Sequence, residues 1–509
     1  MAPKWSNALQ RKRSRYGPLP TTEDGVYVPS HRDDPSRRRR RILYAMMLAA
    51  FTFILFFVAW TRVGESSPRP ATPCDSVEEG YICEPEISHF WGQYSEFFSV
   101  PSKIDDDVPD RCEITFAQIL SRHGGRDPTA SKTARYSAFV SELKSNVTTF
   151  KGKYAFLNDY EYTLGADQLT TFGEQGMVNS GIKFFNRYRK LASKATPFIR
   201  SAGQDRVVQS ALNWTQGFHA AKTSKHIKDS AYPYNILTLP EDIGFNNTLS
   251  HGTCDAFENG PASEIGDDAT STWQSVFTPP IKARLEKDLP GTNFSLDQIV
   301  YFMDLCPFNT VASPTGKVSP FCALFTEAEW HEYDYYETLD KWYGYGTGNP
   351  LGPTQGVGWV NELIARLTHA PVQDDTNTNR TLDADPATFP IGKKNNLFAD
   401  FSHDNDMSGI FAAIGLYNNT EPLSTTEVET THETNGFSAS WTVPFAARMY
   451  VEKMKCGRGK EEFVRVIMND RVIPLQGCGV DKYGRCELSA FVKSLGFARS
   501  GGLWSQCYA

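Results

Sequence analysis

No cysteine occurs among the first 73 residues of this 509-residue chain. All ten follow: Cys74, Cys83, Cys112, Cys254, Cys306, Cys322, Cys456, Cys478, Cys486 and Cys507. None forms a C-x-x-C pair, which argues against a zinc or thiol-redox motif. An even number of widely spaced cysteines reads as five disulfides in a non-cytosolic compartment. The N-x-[ST] glycosylation sequons are missing from the same N-terminal region and begin at Asn146, continuing at Asn213, Asn246, Asn293, Asn379 and Asn418. Residues 42–61, "ILYAMMLAAFTFILFFVAWT", lack any charge. Such a run is long enough for a helix that crosses about 30 Å of hydrocarbon. Five arginines, Arg37 to Arg41, precede it, and only Arg62 follows closely. The positive-inside rule then places residues 1–41 in the cytosol and the body outside it, as a single-pass signal-anchored protein. The alternative is a cleaved signal peptide and a secreted product. The apolar run exceeds an ordinary signal core, and no A-x-A cleavage site follows.

The body has no basic excess. Residues 1–41 carry eleven Lys/Arg against four Asp/Glu, a net of +7, so a chain of net −7 leaves −14 for the remainder. General nucleic-acid binding needs a basic face and is disfavoured. The basic tail suits an anionic membrane leaflet, with nuclear targeting as an alternative. The glycine-rich "GYGTGNPLGPTQGVG" lacks the G-K-[ST] ending of a phosphate loop. An EF-hand starting at Asp404 would need Glu at its twelfth position, where Gly415 stands. There is no internal repeat.

What is present is a body with 40% hydrophobic and 13% aromatic residues, enough for a large core. Residues 1–41 read as a disordered tail, 42–61 as the anchor, 62–73 as a stalk and 74–509 as the globular domain. Three segments share one plan: an apolar strand, a polar junction, then a helix or loop. They are "CEITFAQIL" before "SRHGGRDPT", "PFIR" before "SAGQDRVVQSALNWTQGFHAAK", and "NNLFADFS" before "HDNDMSGIFAAIGL". Val207, Ala211, Trp214 and Phe218 recur at helical spacing, as do Met407, Ile410, Phe411 and Ile414. Ligands of open α/β sheets gather beyond the carboxyl ends of the strands. The junctions would bring together Arg122, His123 and Arg126, then Arg200, then His403 and Asp404. Residues of about 210–345 read as an inserted helical subdomain, 371–385 as a polar surface loop, and "EFVRVIMNDRVIPL" as a hairpin about Asn469-Asp470.

Two arginines around one histidine suit an anion held against an imidazole, because guanidinium forks match phosphate or carboxylate oxygens. With phosphate, in-line attack by His123 gives a phosphohistidine. Gly124 and Gly125 would let oxygens reach backbone amides. The leaving alkoxide needs a proton, and Asp404 is the candidate donor.

At this point the chain closely resembles the histidine acid phosphatases and, within them, the fungal phytases, over about residues 74–509. The resemblance rests on "WGQYSEFF", "LSRHGGRDPT", "PFIRSAGQDRV", "FNNTLSHGTC", "GNPLGPTQGVGWVNELIARLTH", "ADFSHDND" and "WTVPFAARMYVE". It implies a large α/β domain of the phosphoglycerate-mutase-like type with a smaller inserted α-domain, and a cleft between them. It implies His123 as nucleophile and Asp404 as proton donor. Arg122, Arg126, Arg200 and His403 would cradle phosphate, and Gln93, Tyr94, Thr129 and Lys317 would line an inositol-phosphate pocket. The family's disulfide pattern implies Cys74–Cys83, Cys112–Cys456, Cys254–Cys507, Cys306–Cys322 and Cys478–Cys486. No metal or organic cofactor is implied, and the substrate would be a phosphomonoester such as phytate.

Two positions depart from the usual fungal pattern "RHGARYP": Gly125 and Asp127 stand where Ala and Tyr are common. A carboxylate at Asp127 would repel a polyphosphate from the rim, and Asp406 would add another near the proton donor. The alternative reading is a broad acid phosphatase with little phytate preference. More distant rivals are a metal-dependent type II membrane glycosyltransferase using Asp404-Asn405-Asp406, and a non-catalytic tethered binding protein.

Overall fold

The computed structural model describes residues 73–457 and 461–508. The expected basic tail, the apolar run 42–61 and all but the last residue of the stalk lie outside the described residues. Among the described residues, no helix is long and apolar enough to cross a membrane.

A twisted sheet organises the body. Its strands are β3 (Cys112–Arg122), β4 (Phe198–Ala202), β5 (Ile236–Leu239), β6 (Leu397–Ser402), β7 (Arg448–Cys456), β8 (Glu462–Met468), β9 (Arg471–Ile473) and β10 (Arg485–Glu487). A separate pair, β1 (Asp75–Ser76) and β2 (Gly80–Tyr81), precedes them and is closed by Cys74–Cys83. The order across the large sheet is β10-β8-β7-β3-β6-β4-β5, with β9 paired to β8. β3, β6, β4 and β5 run parallel, whereas β7, β8 and β10 continue antiparallel. The C-terminal half of β3 is buried without alternation, as befits a strand covered on both faces.

The helices that frame the site are α1 (Ala130–Asn146), α2 (Thr171–Arg187), α3 (Asp205–Ser224), α4 (Ile265–Asp288), α5 (Leu296–Ala312), α6 (Glu327–Leu339), α7 (Val357–Thr368) and α8 (Asp404–Ile414). α2 and α3 pack at backbone contact: a Cβ on Gly181 would lie 2.0 Å from Trp214 O, and one on Gly217 1.9 Å from Val178 O. α5 and α6 each start with a capping box, Ser295/Gln298 and Thr326/Glu329. α8 stops at Gly415, whose φ of 84° suits glycine.

All five disulfides pair as the resemblance implied. The hairpin forms at Asn469 and Asp470, both with positive φ, 46° and 71°. Two expectations need correction. The stretch 210–345 is not all helical and separate from the sheet, because α3 packs on α2 and β5 joins the sheet beside β4; helices α4, α5 and α6 follow β5. Segment 371–385 is not simply a surface loop. Thr376, Asn377 and Thr378 are buried, and Arg380–Ala384 is a short helix.

Candidate active site

Beyond the carboxyl ends of β3, β4 and β6 lies a cleft of about 620 Å³. One wall comes from the junctions after these strands, the other from α4, α5 and α6. The loop after β3 is pinned by three backbone hydrogen bonds: Arg122 N donates to Ala447 O (2.9 Å), His123 N to Ser402 O (3.2 Å), and Ala446 N to His123 O (2.9 Å).

His123 is buried among Arg122, Arg126, Arg206 and His403. Its Nδ1 is 2.9 Å from Gly124 O. A carbonyl only accepts, so Nδ1 carries the proton and Nε2 keeps its lone pair. Burial and then the surrounding guanidinium groups hold the imidazole well below its ordinary pKa, hence neutral. A neutral imidazole with a fixed tautomer is the nucleophilic form.

Arg122 is anchored from behind. Nη1 donates to Gln93 O and to Val443 O (2.8 Å), and the guanidinium lies 4.6 Å from the Phe445 ring centre. Around His123, Nε of Arg122, Arg126 and Arg206 are buried without hydrogen-bond partners, and Arg122 Nη2 faces only Asp404. Buried unpaired donors are expensive, and their convergence around one imidazole defines an oxyanion site. Asp404 opens α8, with Oδ1 3.3 Å from Arg122 Nη2 and Oδ2 3.0 Å from Lys341 Nζ. Burial alone would raise its pKa. Arg122 and Lys341 overcome this and hold the carboxyl well below the usual range. His403 Nε2 pairs with Glu241 Oε1 at 3.2 Å, and its ring centre is 5.7 Å from that of His123.

Gln93, Tyr94, Arg126, Thr129, His403 and Asp404 line the cleft as expected. His123 and Arg122 are buried and are not among its lining residues, and two expected residues stand apart from it. Arg200 lies within β4, buried, with Nη2 2.6 Å from Glu362 Oε2 and 2.9 Å from Asp400 Oδ2. Its charge is spent inside the sheet layer, and the arginine that lines the cleft from this region is Arg206, on the first turn of α3. Lys317 borders a different cavity with Asp159 and Tyr160. The cleft's lysines are Lys132, held by Asp304 (3.2 Å) and Tyr94 OH (2.7 Å), and Lys341. Sequence reasoning also missed Arg135, Glu241 and His251 in the lining. Although burial works against it, Asp406 and Glu258 raise His251 to about 9, so it is a cation there.

Other expectations shift in detail. Gly124 serves close packing rather than amide donation to a ligand. Gly124 N is taken by Ser210 Oγ (3.1 Å), and a Cβ there would meet Gly173 O at 2.4 Å. The Asp127 carboxylate turns from the rim toward Gly165 and is not among the lining residues. Asp406 accepts from His251 N at 2.6 Å, so Asp404 and Asp406 serve different partners.

A neutral histidine, a ring of arginines and an adjacent carboxyl at the end of a mixed α/β sheet define a phosphoryl-transfer site of the histidine type. The chain belongs to the Histidine phosphatase superfamily (branch 2), whose family model matches residues 113–469. It is 54% identical over 469 residues to Phytase A of Aspergillus oryzae, covering 91% of this chain and 99% of that protein. It is 52% identical to Phytase A of Emericella nidulans, covering 91% and 100%. The fold is similar to the crystal structure of the phytase from D. castellii, with a TM-score of 0.69 and 24% identity over 88% of this chain and 92% of that one. The chain is a phosphomonoester hydrolase of the histidine-phosphatase type.

Proposed function

We propose that this protein hydrolyses phytate and related phosphomonoesters through a phosphohistidine on His123. The reading is carried by one observation: a buried, neutral His123 whose tautomer is fixed by Gly124 O, set among three guanidiniums with unpaired donors. His123 Nε2 attacks phosphorus and the ester P–O bond breaks. The leaving oxygen takes the proton of the Asp404 carboxyl. Water then attacks the phosphohistidine, returns a proton to Asp404, and the P–N bond breaks. Asp404 must be protonated for the first step, and an oxyanion on Arg122 competes with it for that guanidinium, raising the carboxyl toward the needed state.

Phytate is supported by the names of the relatives and by cations beyond the three-arginine cradle: Lys132, Arg135, Lys341 and His251. Carboxylates on the far wall, Asp267, Asp297 and Asp340, favour less charged esters and support the broad-phosphatase reading. A substrate panel at acid pH separates the two: kcat/KM for phytate above that for an aryl phosphate favours the first, the reverse order the second. Acid-quench trapping should yield phosphohistidine in the wild type and none in His123→Ala. Activity that is flat between about pH 4 and pH 8 counts against the Asp404 role.

The five disulfides and the fungal phytase relatives suit a secretory or extracellular protein. Anchoring through residues 42–61 rests on the charge-free run and Arg37–Arg41, and retention of the full chain in alkaline-washed membranes tests it.

A further inference from the structure

Glu96 lies buried beneath the loop that carries His123, and the mechanism above makes no use of it. A Cβ on Gly125 would sit 2.1 Å from Glu96 Oε1 and 3.4 Å from Val311 Cβ on α5. The carboxyl thus occupies the space in which any side chain at position 125 would stand. Oε1 has no hydrogen-bond partner. On the other side, Oε2 is 3.7 Å from where a Gly176 Cβ on α2 would be. Its own segment is fastened to the catalytic machinery at neighbouring residues. Gln93 O accepts from Arg122, Tyr94 lines the cleft, and Ser95 O accepts from Phe445 N (2.8 Å), whose ring lies beneath Arg122 and Arg126.

The charged and titratable groups facing Glu96 are Asp75 after Cys74, Tyr81 on β2, Arg122 on β3 and Arg448 on β7. Asp75 repels an ionised Glu96, while the two arginines attract it. Burial outweighs them, followed by Asp75, and the group is pushed up to about 8. A buried carboxyl with an unpartnered oxygen is far cheaper neutral than charged.

We propose that Glu96 is a positioning residue for the phosphate-binding loop, wedged as a neutral acid in the space left by Gly125, and that its ionisation displaces Arg122 and Arg126 from the geometry that holds phosphate. The proposal rests on the phosphatase reading. It differs from that reading because Glu96 touches no reacting atom, and the Glu96–Gly125 contact belongs to this chain's own residues.

The test is a set of variants assayed for phosphomonoesterase activity from pH 5 to pH 9, with His123→Ala as control. Glu96→Gln keeps the shape and cannot ionise. Its kcat/KM divided by that of the wild type cancels the loss shared through Asp404. That ratio should stay flat on the acid side and rise about tenfold by pH 9 as the wild-type group ionises near 8. A flat ratio over the whole range overturns the proposal. Gly125→Ala should lose at least about tenfold in kcat/KM, and the double variant Gly125→Ala/Glu96→Ala should recover most of it, because coupled neighbours are not additive. Strictly additive losses in variants with unchanged thermal midpoints also overturn it. Loss of activity in His123→Ala beside either overturning result leaves the phosphatase reading standing. Full activity in His123→Ala removes that reading instead.

Discussion

Arg206 and Arg200 come from the same junction and do opposite work. Arg206→Ala should lower kcat/KM by about 10²–10³-fold with little change in thermal midpoint, because it removes one donor from an oxyanion site. Arg200→Ala should instead destabilise the fold by about 3–5 kcal/mol, because it leaves the buried Glu362 without its cation and Asp400 with Arg366 alone. Steady-state kinetics and thermal unfolding on both variants separate the roles. Lys341→Met removes one of the two cations that keep Asp404 ionised. The basic limb of its kcat/KM profile should move up by about one pH unit or more, since an opposite charge at this range shifts a carboxyl by that much. The expectation for Arg200 failed for a physical reason. Side chains in the middle of a strand meet the layers packed on the sheet, whereas groups at or past the strand end, such as Arg122 as the last residue of β3, face the site. Arg200 is inside β4, paired in register with Asp400. His123, Arg126, Arg206 and Asp404 all stand beyond their strand ends. Arg206 is the arginine that follows the end of β4, as Arg126 follows the end of β3. Lys317, Lys132 and Lys341 offered no such rule, because their placement depends on how distant helices pack.

Elements were more legible than single side chains. The three strand-to-helix junctions were visible as apolar runs followed by helical periodicity, and the parallel arrangement β3-β6-β4 brings them together. The turn at Asn469-Asp470 was visible because two consecutive left-handed residues need such a pair. Asn469 carries a second duty that the sequence did not reveal. Its Oδ1 accepts from Arg448 N (2.8 Å), and Nδ2 donates to Trp441 O (2.8 Å) and Thr442 O (3.2 Å). Asn469→Ala should cost about 2–4 kcal/mol by chemical denaturation, from a strained φ and unpaired buried polar groups. β5 was hidden because its four residues are too short for a period to show. Among the sequons, Asn146, Asn293 and Asn418 are exposed, whereas the half-buried Asn246 donates its amide to Thr378 O (3.0 Å). Glycopeptide mapping of secreted protein should find glycans at the first three and none at Asn246.

At the scale of the whole molecule, the notable feature is a set of buried or half-buried carboxyls raised by desolvation: Asp75 and Asp334 to about 6, and Glu96, Glu337 and Asp383 to about 8. Each binds its proton more tightly folded than unfolded, where the value is about 4. Its stabilising contribution is complete below the unfolded value and is lost as pH rises through the folded one. His251, raised to about 9, acts in the same direction at higher pH. His123 opposes them below its ordinary value, because it stays neutral when folded. The depressed carboxyls, Asp404 and Glu452, lose their contributions only at strongly acid pH. The thermal midpoint should therefore be higher near pH 5.5 than near pH 8.5, the window set by the raised groups. A midpoint that climbs across this interval would contradict that proton inventory.

The grip of Arg122 and Lys341 on Asp404 also has a calorimetric signature. A phosphate dianion that draws Arg122 away leaves a buried carboxylate less well paired, and the carboxylate then recovers a hydrogen ion from the buffer. Binding of inorganic phosphate should take up as much as about one proton per site. The heat of titration would then differ between buffers of small and large ionisation enthalpy. In Asp404→Asn, that buffer dependence should vanish while the binding itself remains. With Asp404 in the proposed role of proton donor, substrate binding would itself supply the proton that the carboxyl later gives up.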